Sequence, residues 1–534
     1  MTFFLLFISS VLLMSVLMSK LTNRIGIPVL LGFLALGMLF GSDGLFRIPF
    51  ENFDFANHIA TVALIFIIFY GGFGTNWKAA KPVAVQSVLL STLGVLLTAL
   101  LTGVFCRLVL RFDWLESLLI GAVLGSTDAA SVFSILRSKN LSLKYNTASM
   151  LELESGSNDP CAYMMTYLLL ALMGGGITAG EVVILTLKQV FFGIAGGGLI
   201  AWGAAKIIRR FRDDASVGQL LVVAIALLSY ALPTWLEGNG YLSAYIVGLV
   251  LGNQRVVDKK ELVHFMDGLV TLMQIALFFL LGLLSTPSRL PACILPVLGI
   301  TVFLTFVSRP LSMFLLLSPF KAPLQQQGVM AWAGLRGATS IVFAIMVVIS
   351  GVQTEHDLFH IAFCVVLLSI GVQGTFLPWC AAKLDMIDPE GNVMRTFNDY
   401  SDDDTPVQFI RLRITDNHPW MGLSLKDISM PPDLRAALIL QGENRILPRG
   451  ETVLESGDTL ILSAMAYQDD RHIQLCETSV AGHPEWQEKY ISEIDWDGAL
   501  VILIRRGETT ILPTGGVRLA DGDTVVLANM KIDR

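Results

Sequence analysis

The chain has 534 residues and a formal net charge of −7; 54% of its residues are hydrophobic, only 15% are charged, and its mean hydropathy is +0.65. A water-soluble domain carries roughly 25% charged residues, so a soluble enzyme or a nucleic-acid-binding protein is excluded as the main architecture. Six cysteines (Cys106, Cys161, Cys293, Cys364, Cys380 and Cys476) show no paired spacing, which supports neither a disulfide framework nor a zinc site.

Along the chain, apolar runs repeatedly reach the roughly 20 residues needed to cross a bilayer. Thirteen candidate spans fall at 2–19, 26–42, 56–73, 83–106, 116–136, 147–173, 182–206, 216–235, 240–254, 264–284, 291–318, 326–350 and 357–380. The first run lacks a basic n-region and a small-residue cleavage site, so it reads as a span rather than a removed signal peptide. Basic residues alternate from loop to loop. The odd-numbered loops and the start of the tail hold residues such as Lys20, Lys78, Lys81, Arg137, Lys144, Arg209, Arg210, Lys259, Lys321 and Lys383, whereas the even-numbered loops hold only Arg47, Arg107, Arg111 and Arg289, with Lys188 at a span edge. The positive-inside rule then places the N-terminus outside and the long C-terminal tail in the cytoplasm.

The fifth and sixth spans carry the chemistry. The fifth is interrupted at Gly125-Ser126-Thr127-Asp128, and the sixth carries Glu152, Glu154, Ser155, Asn158 and Asp159. A charged side chain at mid-bilayer costs roughly 2.5–3.5 kcal/mol on insertion scales, so several acids with hydroxyls and an amide read as a cation site. On a helix, Glu152, Ser155 and Asp159 share one face, and Glu154 lies about 140° away from Asp159. Asp159 is the first candidate for the binding carboxylate. Pro160 removes a backbone donor, frees the Gly156 carbonyl and favours a bend; the plainer alternative for Asp159 is a helix cap near the membrane surface. Thr127 and Asp128 sit in a broken helix whose loose carbonyls can coordinate cations, the alternative being a simple glycine kink.

A second glycine-interrupted segment, Gly334-Leu335-Arg336-Gly337, lies in the twelfth span, and paired interruptions in two halves point to a transporter's binding site. Arg336 needs a counter-charge, and Glu154 is the best-placed unassigned acid, giving an expected structural ion pair. Arg309, beside Pro310, is a further intramembrane arginine to which no partner is assigned. His264, Asp267 and Glu237 lie near span ends and read as interfacial. Gly196–Gly198 reads as close helix packing. No phosphate-binding glycine loop or zinc-ligand spacing occurs, so nucleotide-driven pumping has no support.

Charge rises sharply near Lys383. A short acidic linker, Asn398–Thr405, precedes strand-like runs at Ala437–Leu440, Thr459–Ser463, Ala499–Ile504 and Thr524–Ala528. The tail repeats itself: His418-Pro419, Gly442-Glu443, Ile446-Leu447-Pro448 and Gly457-Asp458-Thr459 recur at His483-Pro484, Gly507-Glu508, Ile511-Leu512-Pro513 and Gly522-Asp523-Thr524, each offset by 65 residues. Two copies of one small βα module are expected.

STDAASVF (Ser126–Phe133), LELESGSNDP (Leu151–Pro160), FMDGLVTLMQIALFFLLGLL (Phe265–Leu284) and GLRGA (Gly334–Ala338) resemble the bacterial NhaP-type monovalent cation/proton antiporters. The tail resembles the C-terminal subdomain of RCK (TrkA-type) regulatory modules, present twice, and this combination is most similar to the potassium/proton branch. The resemblance implies an α-helical polytopic membrane protein with about thirteen transmembrane helices, inverted repeats and two crossed broken helices, plus a small cytoplasmic α/β tail. The expected layout is a membrane domain over 1–382, a linker over 383–405, and RCK-C-like repeats over 406–468 and 469–534. It further implies a homodimer in the bacterial inner membrane.

Carried onto this sequence, the resemblance makes Asp159 the shared cation and proton site with Asn158 beside it. Thr127 and Ser155 supply oxygens to the cation, Asp128 stands near the crossing, and Glu154 and Arg336 match a buried acid–arginine pair. Two departures stand out: relatives often read GLRGAVP where this chain has GLRGATS, with Ser340 for proline, and close relatives carry Asp where this chain has Tyr70 before Gly71-Gly72. A carboxylate that binds either a cation or a proton couples the two gradients without another energy source, and Asn158, in place of a second acid, favours one proton per cation. The expected reaction is electroneutral efflux of K+ against H+, with Na+ or Li+ as the alternative cation. No cofactor is expected beyond the transported ions. A gated channel is disfavoured because no carbonyl-lined filter or acidic ring is visible. A receptor on a transport fold is disfavoured because Asp159 and both glycine breaks are intact. The tail, without a nucleotide-binding half, is expected to sense a small cytoplasmic ligand, such as a nucleotide or cyclic dinucleotide, or to join two protomers.

Overall fold

A segment without water to bond must satisfy its own backbone N–H and C=O groups, and a helix does so within itself. The computed structural model describes residues 2–25, 28–139, 141–175, 178–210, 215–254 and 259–388, and in the tail 407–415, 418–428, 430, 434–441, 444–465, 473–496, 500–506, 509–511, 513 and 515–530. Each apolar run read from the sequence is helical over most of its described length. Among the described residues, eight helices are long and apolar enough to cross a membrane: Leu5–Thr22, Phe53–Gly74, Trp77–Leu110, Gly180–Ile208, Val217–Trp235, Glu261–Leu284, Pro287–Phe320 and Leu358–Lys383. Shorter apolar helices occupy Val29–Phe40, Trp114–Val123, Gly240–Gly252 and Ala338–Ile349. The 27-residue helix Thr147–Met173, which carries the acids, runs unbroken through Pro160.

One order of elements occurs twice. A long helix containing a π-turn (Leu90–Gly94) is followed by a helix broken after Val123 and then by Thr147–Met173; a long helix with a π-turn at Leu304–Ser308 is followed by a helix broken after Trp332 and then by Leu358–Lys383. The two π-containing helices are joined by hydroxyls: Thr98 donates to Ser312 at 3.1 Å, and Ser308 donates to the Thr98 carbonyl at 3.0 Å. Such bonds hold helices together where lipid gives no hydrophobic drive.

Elsewhere backbones meet directly. A Cβ on Gly248 would stand 2.0 Å from the Phe69 carbonyl oxygen, and one on Gly252 would stand 2.0 Å from that of Phe73. Gly240–Gly252 therefore lies against Phe53–Gly74 at a distance only glycine permits. Of the glycine run expected to serve close packing, Gly196 lies against Pro233 and Gly197 against Ser243, while a Cβ on Gly198 would meet nothing within 4 Å.

The chain separates into two compact units, Met1–Tyr400 and Ser401–Arg534. The acidic linker at 398–405 lies outside the described residues, as do Gly442, Glu443, Gly507, Glu508 and Leu512 of the repeat. The second unit holds two four-stranded antiparallel sheets. Strands β1 (Val407–Arg413), β2 (Leu434–Gln441), β3 (Asn444–Ile446) and β4 (Thr459–Met465) are ordered β1-β4-β2-β3; β5 (Ile473–Ser479), β6 (Leu500–Arg506), β7 (Thr509–Ile511) and β8 (Asp523–Met530) are ordered β5-β8-β6-β7. The repeat extends to register: Ile439 faces Ile446 as Ile504 faces Ile511, and the irregularity between Ala436 and Leu438 recurs between Val501 and Leu503. The expected βα module is corrected in one respect: among the described residues the tail pairs its strands with 3-10 turns and contains no α-helix. Runs punctuated every few residues by Gly, Asp and Pro leave little room for helical turns.

Asp523 is buried beside Arg506, whose Nη2 lies 2.7 Å from Oδ2. Burial opposes ionisation, but the Arg506 guanidinium and the Ala520 N–H outweigh it and hold the carboxyl below the usual aspartate range. This pair therefore stabilises the second sheet at neutral pH, and its contribution is lost as pH falls through that lowered value.

Close backbone approach gives a direct test. Gly248→Ala is expected to lower the melting temperature of the purified protein, because the added methyl meets a carbonyl oxygen that cannot move without its helix. Gly268→Ala, where a Cβ meets nothing within 4 Å, is expected to leave it unchanged or raise it slightly, since alanine is favoured by about 0.5–1 kcal/mol in a helix. Fluorescence-detected size-exclusion after heating reads both.

Candidate functional site

Each break in a helix leaves carbonyls at the end of one half and N–H groups at the start of the next without intrahelical partners. Gly125–Asp128 separate Trp114–Val123 from Ala129–Ser138, and Gly334–Gly337 separate Leu324–Trp332 from Ala338–Ile349. The two breaks satisfy each other. The Asp128 N–H donates to the Leu335 carbonyl at 2.8 Å. Arg336 Nη1 donates to the carbonyls of Gly125 at 2.9 Å and Ser126 at 2.7 Å, and the Arg336 backbone N–H donates to the Ser369 hydroxyl at 2.9 Å.

Charge follows the same logic. Asp128 caps the half-helix that follows it, accepting from the Ser131 N–H at 3.2 Å and the Ser131 hydroxyl at 2.5 Å. It also lies against Gly337, where a Cβ would stand 2.5 Å from the Asp128 carboxylate. A carboxylate is thus placed where two half-helices begin, and a guanidinium where Trp114–Val123 ends. Both signs match the helix dipoles.

Asp159 sits beside this crossing and is 8% exposed. Its Oδ1 accepts from the Ser126 hydroxyl, and its Oδ2 accepts from the Thr339 hydroxyl at 3.3 Å. One hydroxyl comes from the first break and the other from the first turn after the second. Asn158, fully buried, donates from its amide nitrogen to Thr127 Oγ1 at 2.5 Å, while the Ser155 hydroxyl donates to the Thr127 carbonyl at 2.6 Å. Asn158 Oδ1 has no hydrogen-bond partner among the described residues. A buried acceptor left unmet costs about 1–3 kcal/mol.

The predicted site residues Thr127, Asp128, Ser155, Asn158 and Asp159 are thus linked into one neighbourhood by the first break and the Thr147–Met173 helix. The expected Glu154–Arg336 pair requires correction. Glu154, with no exposed surface, holds its Oε1 at 2.6 Å from Nη2 of Arg309, which is 1% exposed. The reason is steric. A Cβ on Gly334 would stand 2.6 Å from Arg309 Nε, so the glycine of the second break opens the route by which Arg309 reaches Glu154. Arg336 is turned instead to the carbonyls of the first break. Sequence reasoning also missed Ser126 and Thr339. Ser126 was adjacent to two chosen residues, and Thr339 lies two residues after the glycine that ends the second break.

Residues 8–383 match the family described as "Sodium/hydrogen exchanger, transmembrane", and residues 409–464 match the TrkA-C domain. The chain is 34% identical to the K(+)/H(+) antiporter NhaP of Alkalimonas amylolytica over 86% of its own length and 81% of that protein. It is 36% identical to the K(+)/H(+) antiporter NhaP2 of Shewanella sp. (strain MR-4) over 84% of its own length and 78% of that protein. Among solved structures, the sodium proton antiporter MjNhaP1 of Methanocaldococcus jannaschii is similar with a TM-score of 0.63 and 26% identity, over 71% of this chain and 97% of that one.

The reassigned pair is testable by a double-mutant cycle. Glu154→Gln or Arg309→Gln alone leaves one buried charge unpaired, which typically costs about 3–5 kcal/mol. The double variant is expected to lose far less than the sum of the two. Glu154→Gln combined with Arg336→Gln is expected to be closer to additive. Melting temperatures in detergent would show the difference, and equal coupling for both arginines would return Arg336 to the pair.

Proposed function

The chain belongs to the sodium/hydrogen exchanger family and is a cation/proton antiporter, and from that premise we propose that it exchanges cytoplasmic K+ for external H+ at Asp159. The observation that supports this site most directly is the Asp159 carboxylate, held by a hydroxyl from each broken segment; on the preceding residue, the Asn158 amide oxygen is buried with no partner among the described residues. In a membrane interior an ionised, empty carboxylate is costly. A bound proton or a bound monovalent cation removes that cost, so the site crosses the barrier loaded with one or the other. Cation binding expels the proton, protonation expels the cation, and the two gradients exchange. Asn158 is uncharged, so one proton is exchanged per cation and the cycle is electroneutral. Thr127 and Ser155 shape the oxygen cage, and Asp128 serves the crossing as a cap.

The family relatives named as K(+)/H(+) antiporters favour K+; the structural neighbour named a sodium proton antiporter keeps Na+ as the second reading. The protein works as a homodimer in the bacterial inner membrane, with thirteen spans, the N-terminus outside and the tail in the cytoplasm. The tail, carrying the TrkA-C match, regulates transport by binding a small ligand, a nucleotide or cyclic dinucleotide, or by joining protomers.

Proteoliposomes with an internal pH dye test the reading. K+-dependent proton movement is expected in the wild-type protein and not in Asp159→Asn. Asp128→Asn is expected to retain exchange, because an amide oxygen can still cap Ser131; activity that survives Asp159→Asn and vanishes in Asp128→Asn would move the site. The same assay checks competition. The half-saturating K+ concentration is expected to rise as pH falls, approaching about tenfold per pH unit once protons fill the site. A half-saturation independent of pH would mean that the two ions do not share one carboxylate.

A further inference from the structure

Three ligand-type side chains converge on residues that ion exchange at Asp159 does not use. Glu116 lies in the first turn of Trp114–Val123 and is 2% exposed. Glu355 and His356 lie just before the Leu358–Leu368 helix. One ligand atom from each of the three lies within 4.8 Å of the other two. From Glu116 to the break at Gly125 is nine residues of chain, about 13 Å at the helical rise, so this cluster is separate from the crossing.

Its geometry is tightly held. Glu116 Oε1 accepts from the His356 backbone N–H at 2.9 Å and lies 3.2 Å from His356 Nδ1. The imidazole stacks on Phe112 with ring centroids 3.6 Å apart and planes 20° apart, which fixes the ring with Nδ1 towards the carboxylate. A buried carboxylate requires a positive partner. Two ligands of a tetrahedral zinc ion at about 2.0–2.1 Å from the metal stand about 3.3 Å apart, close to the Oε1–Nδ1 separation. The mixture of one imidazole and two carboxylates suits a borderline divalent ion better than Mg2+ or Ca2+, which take oxygen alone.

We propose that Glu116, Glu355 and His356 form a binding site for a borderline divalent cation of the Zn2+ class. A dication there balances the two carboxylates while the imidazole stays neutral. Three protein ligands leave one position for water, as in open zinc sites. Occupation ties the segment that leads into the last long helix to the start of the half-helix whose far end carries Gly125 and Ser126. It therefore braces the first break from outside the crossing. The proposal does not depend on which monovalent cation is transported.

The test uses the full-length protein, stripped of metal with EDTA, desalted and titrated with ZnCl2 by calorimetry, with bound zinc counted by mass spectrometry after gel filtration. Wild type is expected to hold one zinc per chain and to melt at a higher temperature with zinc. Glu355 is exposed, so Glu355→Gln does not threaten folding; it is expected to weaken zinc binding at least about tenfold, the loss seen even for outer-shell groups, and to remove the melting shift. His356→Ala is expected to do the same. CoCl2 in place of zinc is expected to give a visible d–d spectrum in wild type and not in the Glu355→Gln/His356→Ala double variant. Zinc that is not retained by wild type, or that binds the double variant as tightly as wild type, would overturn the site and leave Glu116 and His356 as an ordinary hydrogen-bonded pair.

Discussion

A helix broken inside a membrane must find partners for the backbone groups it exposes, and it must find them among protein atoms. Here each break is the other's partner. Leu335 accepts from Asp128, and Arg336 donates to Gly125 and Ser126. Those bonds bring opposite charges to opposite ends of half-helices and fix where Ser126 and Thr339 stand. Ionisable side chains at and around these breaks include Arg309, Arg336, Asp128, Glu154 and Asp159, and Glu152 is buried on the same helix face as Asp159. Arg309 is paired with Glu154 and Arg336 is bonded to carbonyls, whereas Asp159 is met by two neutral hydroxyls. A bound proton or monovalent cation would bring that carboxylate to neutrality.

The two hydroxyls on Asp159 give this balance a mechanical side. Ser126 belongs to the first break, Thr339 to the turn after the second, and both bond the same carboxylate. Protonating Asp159, or drawing its oxygens towards a cation, changes what both segments are bonded to. A site held from one side only would lack that reach.

Much of this was legible in the sequence because the signals were local. Apolar runs gave the helices, Gly125 and Gly334 marked the breaks, and acids in an otherwise apolar span marked the candidate site. Pairing was not local. Glu154 had two candidate arginines, Arg309 and Arg336, on different helices, and the choice between them turned on the missing side chain of Gly334. That glycine was read as a helix breaker; its second effect, clearing a path for Arg309, exists only once three helices are packed. Pro160 does not end its helix: Thr147–Met173 continues through it, and its carbonyl accepts from the Asn239 amide at 2.8 Å.

The tail shows how a repeat seen in sequence should be read. Gly457 and Gly522 have φ of +93° and +89°, a left-handed conformation that favours glycine. Asp458 accepts from the Glu455 N–H at 2.9 Å as Asp523 accepts from the Ala520 N–H at 2.8 Å. The repeated Gly-Asp pairs are therefore turn hardware, kept because the sheet needs them before β4 and β8. Identity at an offset of 65 residues marks what folds both copies, not what distinguishes them. The distinguishing positions are those that differ, such as Gln441 and Arg506, which occupy equivalent places and bond Asp458 and Asp523 respectively. One copy meets its aspartate with a neutral amide and the other with a fixed positive charge, so the two sheets share a fold while presenting different electrostatics to whatever the tail binds.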